Sequence, residues 1–192
     1  MSSQISVYAI PVERLTRAAG SCDSKFFDGL VERHEDFLNS IDEIDEAAEF
    51  TCTDAIWAII EDEVSDDIPG YLYGYALQAL CMHLGKELPA IDDITGTTEW
   101  MESVDEFLKR HRVPVTLTSL VHGGSPLTFP EPDDYPFIGQ WPAKLLQDAR
   151  DALEAIDTSA LDDQLKDLIQ QMLGWIATAL KIPGASIIGF LI

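Results

Sequence analysis

Between Pro69 and Leu84 the chain is apolar on nearly every side of a helix. Tyr71, Leu72, Tyr73, Tyr75, Ala76, Leu77, Leu80, Met82 and Leu84 leave no continuous polar stripe. A helix of that kind has no face to turn to water and belongs at the centre of a fold. Pro69 suits its first turn and Gly85 its end. Everything else in the chain is therefore expected to wrap around this segment.

The surrounding segments are amphipathic helices and a few strands. Ile5 to Ile10, ended by Pro11, reads as a β-strand, because it is β-branched and aromatic. A short helix follows from Pro11 through Arg17 to Gly20. Asp23 caps a helix striped by Phe26, Phe27, Leu30, Val31, Phe37 and Leu38, with Asp28, Glu32, Glu35 and Asp36 opposite. Asp42-Glu43-Ile44-Asp45-Glu46 is an acidic connector or helical turn. A further helix after Thr53 carries Ile56, Trp57, Ile59 and Ile60. Trp100, Met101, Val104, Phe107 and Leu108 stripe another, which Pro114 stops. Lys109, Arg110 and Arg112 at its end complement the helix dipole.

Val115 to Val121 reads as a second strand, since threonines and branched apolar residues alternate there. A loop rich in Gly and Pro runs from His122 to Pro136. Pro142 opens a helix striped by Leu145, Leu146, Ala149, Leu153 and Ile156. Ser159 with Asp162 gives a capping box for the last helix, from Leu161 to Leu180. Ile187 to Ile192 ends the sequence as an unbroken apolar strand. That pattern predicts a middle member of a sheet, paired with the Ser6–Ile10 and Val115–Val121 strands, with Gly189 marking a close backbone approach.

The sum is an α+β fold: a mainly helical single domain, residues 1–192, with a small two- to four-stranded sheet that includes the N-terminal and C-terminal strands. A chain of 192 residues with 46% apolar content can build a sizeable core. Three widely spaced cysteines, Cys22, Cys52 and Cys81, do not make a disulfide framework. The start Met1-Ser2-Ser3-Gln4 has no basic cluster before an apolar stretch, and no apolar run reaches a membrane span. These features predict a cytoplasmic protein.

The surface is set by acid. Asp28 to Asp67 holds fifteen Asp or Glu side chains against one basic residue, Arg33, and the whole chain stands at −22. Such a charge repels nucleic acid and anionic membrane and attracts a basic partner. The one basic cluster, Lys109-Arg110-His111-Arg112, is too small to reverse it. Adaptation of a whole proteome to salt is another source of the same acidity.

No catalytic motif emerges. His34-Glu35-Asp36-Phe37-Leu38 lacks the second histidine of a zinc-protease helix. Cys81 and His83 have no second pair at zinc-ligand spacing. His122-Gly123-Gly124-Ser125 is like an oxyanion loop, but the chain has no Gly-x-Ser-x-Gly elbow to accompany it. The pairs Asp42-Glu43, Asp45-Glu46, Asp66-Asp67, Asp92-Asp93 and Asp133-Asp134 lack the ligand alternation of a calcium loop and read as solvated faces. No cofactor and no metal is expected.

The segment Pro130 to Trp141 is the most unusual. Its prolines stiffen it, and aromatic residues interleave with Asp133 and Asp134. Such a loop either binds a partner at small ordering cost or covers a sheet edge and locks its aromatics into the core.

The opening Tyr8-Ala9-Ile10-Pro11-Val12-Glu13-Arg14-Leu15, the loop Asp133-Asp134-Tyr135-Pro136-Phe137-Ile138-Gly139 and the ending Ile187-Ile188-Gly189-Phe190-Leu191 resemble a group of uncharacterised bacterial cytosolic proteins classed as domains of unknown function. The resemblance implies no activity.

The expected function is that of a non-catalytic acidic binding protein acting on a basic partner, in its sharpest form an immunity protein neutralising a basic toxin. The candidate contact residues are Glu61, Asp62, Glu63, Asp66, Asp67, Asp133, Asp134 and Tyr135. The alternatives are an enzyme with a site assembled from scattered residues such as His34, His83, His122 and the Asp pairs, and a housekeeping protein with a salt-adapted surface. Two of those histidines meeting a carboxylate in a cleft would favour the enzyme.

Overall fold

The computed structural model describes residues 3–45, 48–94 and 97–192; Met1, Ser2, Glu46, Ala47, Thr95 and Gly96, and the side chains of Asp45, Asp93, Ile94 and Thr97, lie outside the described residues. Four strands form one antiparallel sheet: β1 (Ser3–Pro11), β2 (Lys86–Ile94), β3 (Phe137–Trp141) and β4 (Ala185–Leu191), in the order β2-β1-β4-β3. The terminal strand is a middle member, as its apolar run predicts. It pairs with β1 from Ile5↔Leu191 to Pro11↔Ala185, and with β3 from Phe137↔Leu191 to Trp141↔Ile187.

Alternation along β1 and β4 divides the core in two. Ile5, Val7, Ala9, Ile187 and Leu191 face one way, and Tyr8, Ile10, Ile188 and Phe190 face the other. All seven residues of β4 are buried, because helices cover both faces. One layer holds α1 (Val12–Ala18), α2 (Ser24–Arg33), α3 (Glu35–Asp42), α4 (Cys52–Glu61) and α5 (Gly70–Leu84). The other holds α6 (Thr97–Arg110), α7 (Leu117–His122), α8 (Ala143–Glu154) and α9 (Asp163–Ala179).

The apolar helix is central to its layer. Every residue of α5 from Leu72 to Cys81 is buried, including Tyr75 and Leu77 on opposite faces. Tyr73 stacks on Phe129 with ring centres 5.6 Å apart, and its hydroxyl accepts from the Ser65 amide at 3.0 Å. That bond ties the acidic turn before the helix to the core.

The second expected strand, Val115 to Val121, is a helix instead. Thr116 and Ser119 form a reciprocal capping box, and the buried carboxylate of Asp105 accepts from the amides of Leu117 (2.7 Å) and Thr118 (3.2 Å). These bonds satisfy the first-turn donors that a helix leaves open, and they outweigh the β-propensity of the segment. Leu117, Leu120 and Val121 then share the buried face.

The helix lies directly on the sheet. Gly139 and Gly189 are register partners, and a methyl group added at Gly189 would sit 2.6 Å from Leu120 Cγ. Gly189 therefore marks a close approach, by α7 against the sheet. The sheet's outer members are β2 and β3, neither of which the sequence reading supplied. In β2 an extra residue between the pairs Val7↔Leu88 and Ile5↔Ile91 makes a bulge around Pro89 and Ala90. The freed carbonyls are not wasted. Pro89 accepts from Trp175 Nε1 at 2.9 Å, and Ala90 accepts from Gln171 Nε2 at 2.8 Å.

Three boundaries move. The helix expected from Phe26 to Leu38 breaks at His34, whose φ of −118° and ψ of 21° end α2 and start α3. Thr51, not Thr53, caps α4 through a box with Asp54. Asp162 caps α9 by accepting from the Leu165 amide at 2.8 Å, while Ser159 lies in a separate 3-10 turn, Thr158–Ala160. Among the described residues no helix is long and apolar enough to cross a membrane.

Candidate functional site

The Pro-rich loop before β3 docks on the start of α5. A methyl group at Gly74 would meet Pro136 Cγ at 2.7 Å, and one at Gly70 would collide with the carbonyl of Glu131. Two missing side chains thus create the notches that let the loop approach the helix. The Tyr135–Pro136 peptide is cis. The loop takes the packing role read for it at its C-terminal end. Phe137 to Trp141 forms the edge strand β3, with Trp141 fully buried and its Nε1 donating to Thr116 O at 2.8 Å. Residues 133–135 remain at the surface.

Between loop and helix lies a cleft of about 510 Å³. Pro69, Gly70, Tyr71 and Tyr75 form one wall, Asp133, Asp134 and Tyr135 the other, and Ile44 the rim. Tyr135 is held by its neighbours. Its ring meets Phe137 edge-on at 5.2 Å, its hydroxyl lies 3.4 Å from Ser3 Oγ, and its amide donates to Asp134 Oδ1 at 2.9 Å. Tyr75 packs edge-on to Phe37 at 6.4 Å, and burial, the nearby Cys52 and the charge of Asp134 push its phenol above the usual range. Ile44 is 63% exposed and Tyr135 40%, so both leave apolar surface open beside the cleft.

Among the described residues neither Asp133 nor Asp134 forms an ion pair. Among the described residues the ion pairs are Arg150–Glu154 and Lys166–Asp163, each within one helix. Tyrosine faces and unpaired carboxylates are the two groups that attract an organic cation, the first through the ring quadrupole and the second by charge-assisted hydrogen bonds. Among the described residues no group of three or more His, Cys, Asp or Glu stands close enough to hold a metal ion.

Of the residues singled out by sequence, Asp133, Asp134 and Tyr135 share this cleft. Glu61, Asp62, Glu63, Asp66 and Asp67 do not line it. They form the end of α4 and the turn into Pro69. Asp62 takes a left-handed φ of 60° as the C-cap, and Asp67 donates its amide to Ser65 Oγ at 3.2 Å. Glu61 pushes up the pKa of the exposed Cys22 thiol beside it, the opposite of what a nucleophile needs. Burial does the same to Cys52 and Cys81.

The histidines split. His34 and His83 meet edge-on at 5.6 Å, and His34 Nε2 and His83 Nδ1 are buried without a hydrogen-bond partner. Burial lowers both pKa values first; Arg33 lowers both as well, and His83 lowers that of His34. Among the described residues no carboxylate is hydrogen-bonded to either ring. His122 is elsewhere, tilted against Phe137 at 4.8 Å. With Ser125 and Glu131 it lines a cavity of about 230 Å³ on another side of the loop. Ser125 Oγ accepts from the Leu127 amide there, and no hydrogen bond joins the three side chains into a relay.

Tyr71, Tyr75 and Ile44 escaped the sequence reading. The tyrosines were absorbed into an apolar helix, although their alternation with glycines was a signal that something packs or opens there. Nothing in the sequence pointed to Ile44 beyond its isolation in acid.

No curated protein and no solved structure is significantly similar to this chain. A family model described as a domain of unknown function, DUF7691, matches residues 1–191. With nearly every residue inside that match, from β1 through the cleft to β4, the chain belongs to the DUF7691 family.

Proposed function

We propose that this protein is a non-catalytic cytosolic binding protein that docks a basic partner by seating a lysine or arginine side chain in the cleft of Tyr71, Tyr75, Tyr135, Asp133 and Asp134. The observation that carries this reading is a cleft lined by three tyrosines and two carboxylates that form no ion pair among the described residues. The net charge of −22 supports it, because a field of that sign steers a basic protein toward the surface and speeds encounter. Ile44 on the rim supplies the apolar contact that would surround a desolvated charge. In its sharpest form the partner is a basic toxin and this chain its immunity protein.

The test uses short blocked peptides carrying arginine, lysine, glutamate or norleucine at one central position, titrated into the labelled protein. Arginine or lysine peptides should shift the amides of Tyr71, Tyr75 and Tyr135 and bind more weakly as salt rises. Asp133→Asn combined with Asp134→Asn should weaken that binding about tenfold or more. Equal binding of the norleucine peptide, or no saturable binding of any cationic one, overturns the proposal. The sharper form is tested by mixing the protein with the product of a neighbouring toxin gene; unimpaired toxicity at stoichiometric excess rejects it.

A further inference from the structure

The scarcest resource of this chain is positive charge, twelve Lys and Arg against thirty-four Asp and Glu. Arg14 and Arg17 stand three residues apart on α1, so they share its exposed side, while Leu15 and Ala18 are buried. Neither has a carboxylate oxygen within ion-pair distance among the described residues, where the pairs are Arg150–Glu154 and Lys166–Asp163. In a surface so rich in acid, two adjacent unpaired arginines are not the default arrangement.

They line a pocket of about 430 Å³ between α1, the start of α2 and the end of α5. Its other walls are Ser21, Asp23, Phe26 and Leu84. Arg14 Nη1 donates to the Leu84 carbonyl at 3.2 Å, which holds that guanidinium over the end of α5. The carboxylate of Asp23 is already occupied as a helix cap, its Oδ1 accepting from the amides of Lys25 and Phe26 at 3.1 Å each. Phe26 is fixed from behind, its ring edge-on to His83 at 5.3 Å. The volume falls in the range of small-molecule sites, which are mainly apolar with a few placed polar groups.

We propose that this pocket binds a small organic anion, with a carboxylate or phosphate group on Arg14 and Arg17 and an apolar or aromatic body against Phe26 and Leu84. A guanidinium matches either oxyanion with two parallel hydrogen bonds, which is why the head group is shared chemistry here. Ser21 adds a hydroxyl at the pocket wall. The site is separate from the cation cleft, which is lined by entirely different residues. Either site can therefore fail its test alone.

The experiment titrates the full-length labelled protein with phenylacetate, phenyl phosphate, 2-phenylethanol and phenethylamine. At least one of the two anions should saturate, shifting the amides of Arg17, Ser21, Phe26 and Leu84, and comparison of the two identifies the preferred head group. Arg17→Gln should weaken the binding about tenfold. Arg17→Lys should retain most of it. Both variants should melt like the parent, because Arg17 is exposed and forms no ion pair among the described residues. Binding of 2-phenylethanol as strong as that of the anions overturns the proposal. So does anion binding unaffected in Arg14→Gln combined with Arg17→Gln, or saturation by neither anion.

Discussion

Gly189 and Gly174 show how differently two glycines serve one fold. At Gly189 an added methyl group would press into Leu120, so Gly189→Ala should destabilise by about 1–3 kcal/mol through overpacking. At Gly174, inside α9, a methyl group would meet nothing within 4 Å. Gly174→Ala should therefore stabilise by about 0.5–1 kcal/mol, the usual gain for alanine over glycine in a helix. Urea denaturation of the two variants checks both signs. The histidine pair gives a second test. Burial lowers the pKa of His34 and His83 below the ordinary 6.5, so the unfolded chain binds more protons than the folded one as pH falls through that range. Their contribution to stability is full above about pH 6.5 and is lost on acidification through the lower folded values. The urea midpoint should fall from pH 7.5 to pH 5, and His83→Gln should flatten that fall.

Among the elements, α7 is the one whose identity depends on a partner. Asp105→Ala removes the acceptor for the Leu117 and Thr118 amides and should cost about 1–3 kcal/mol, while Asp105→Asn, which keeps an acceptor oxygen, should cost less. Thermal unfolding of both variants measures the difference. The same carboxylate explains why this element was illegible in sequence. Asp105 is twelve residues from Leu117 and belongs to another helix, so no local window joins them. Elements that satisfy themselves were legible: α5 from its uniform apolarity, β1 and β4 from their unbroken runs, α2 from Asp23. Strands β2 and β3 were not, because Pro89 and the glycine and prolines around β3 break the β pattern, and their pairing rests on neighbours distant in the chain. The candidate cleft was half legible for the same reason. Asp133, Asp134 and Tyr135 stood out as an odd loop, but what they face, Tyr71, Tyr75 and Ile44, is decided by the docking of that loop on Gly70 and Gly74.

At the scale of the molecule, repulsion among carboxylates is poorly offset. Thirty-four acidic side chains meet twelve basic ones, and the two ion pairs among the described residues are local and largely exposed. Exposed pairs of that kind contribute little, whereas a net charge of −22 opposes the compact state at long range. Salt screens that opposition within about a Debye length, roughly 10 Å at 0.1 M. The melting temperature should rise as sodium chloride is added over the sub-molar range. A falling melting temperature would show that ion pairs dominate.

The pairing of β1 with β4 carries a consequence for how the chain is made. On its β4 side Ile5 pairs with Leu191, and Gln4 exchanges both backbone bonds with Ile192. During synthesis β1 emerges before, and its central partner β4 after, all the helices and the two other strands that lie between them in the chain. Until then β1 has β2 on one side and an open, apolar edge on the other, the kind of edge that invites pairing with a second nascent chain. Both helical layers rest on the strand that arrives last. Pairing of β1 with β4 has to wait for every element between them, and crowding of nascent chains is where this protein is most exposed to misassembly.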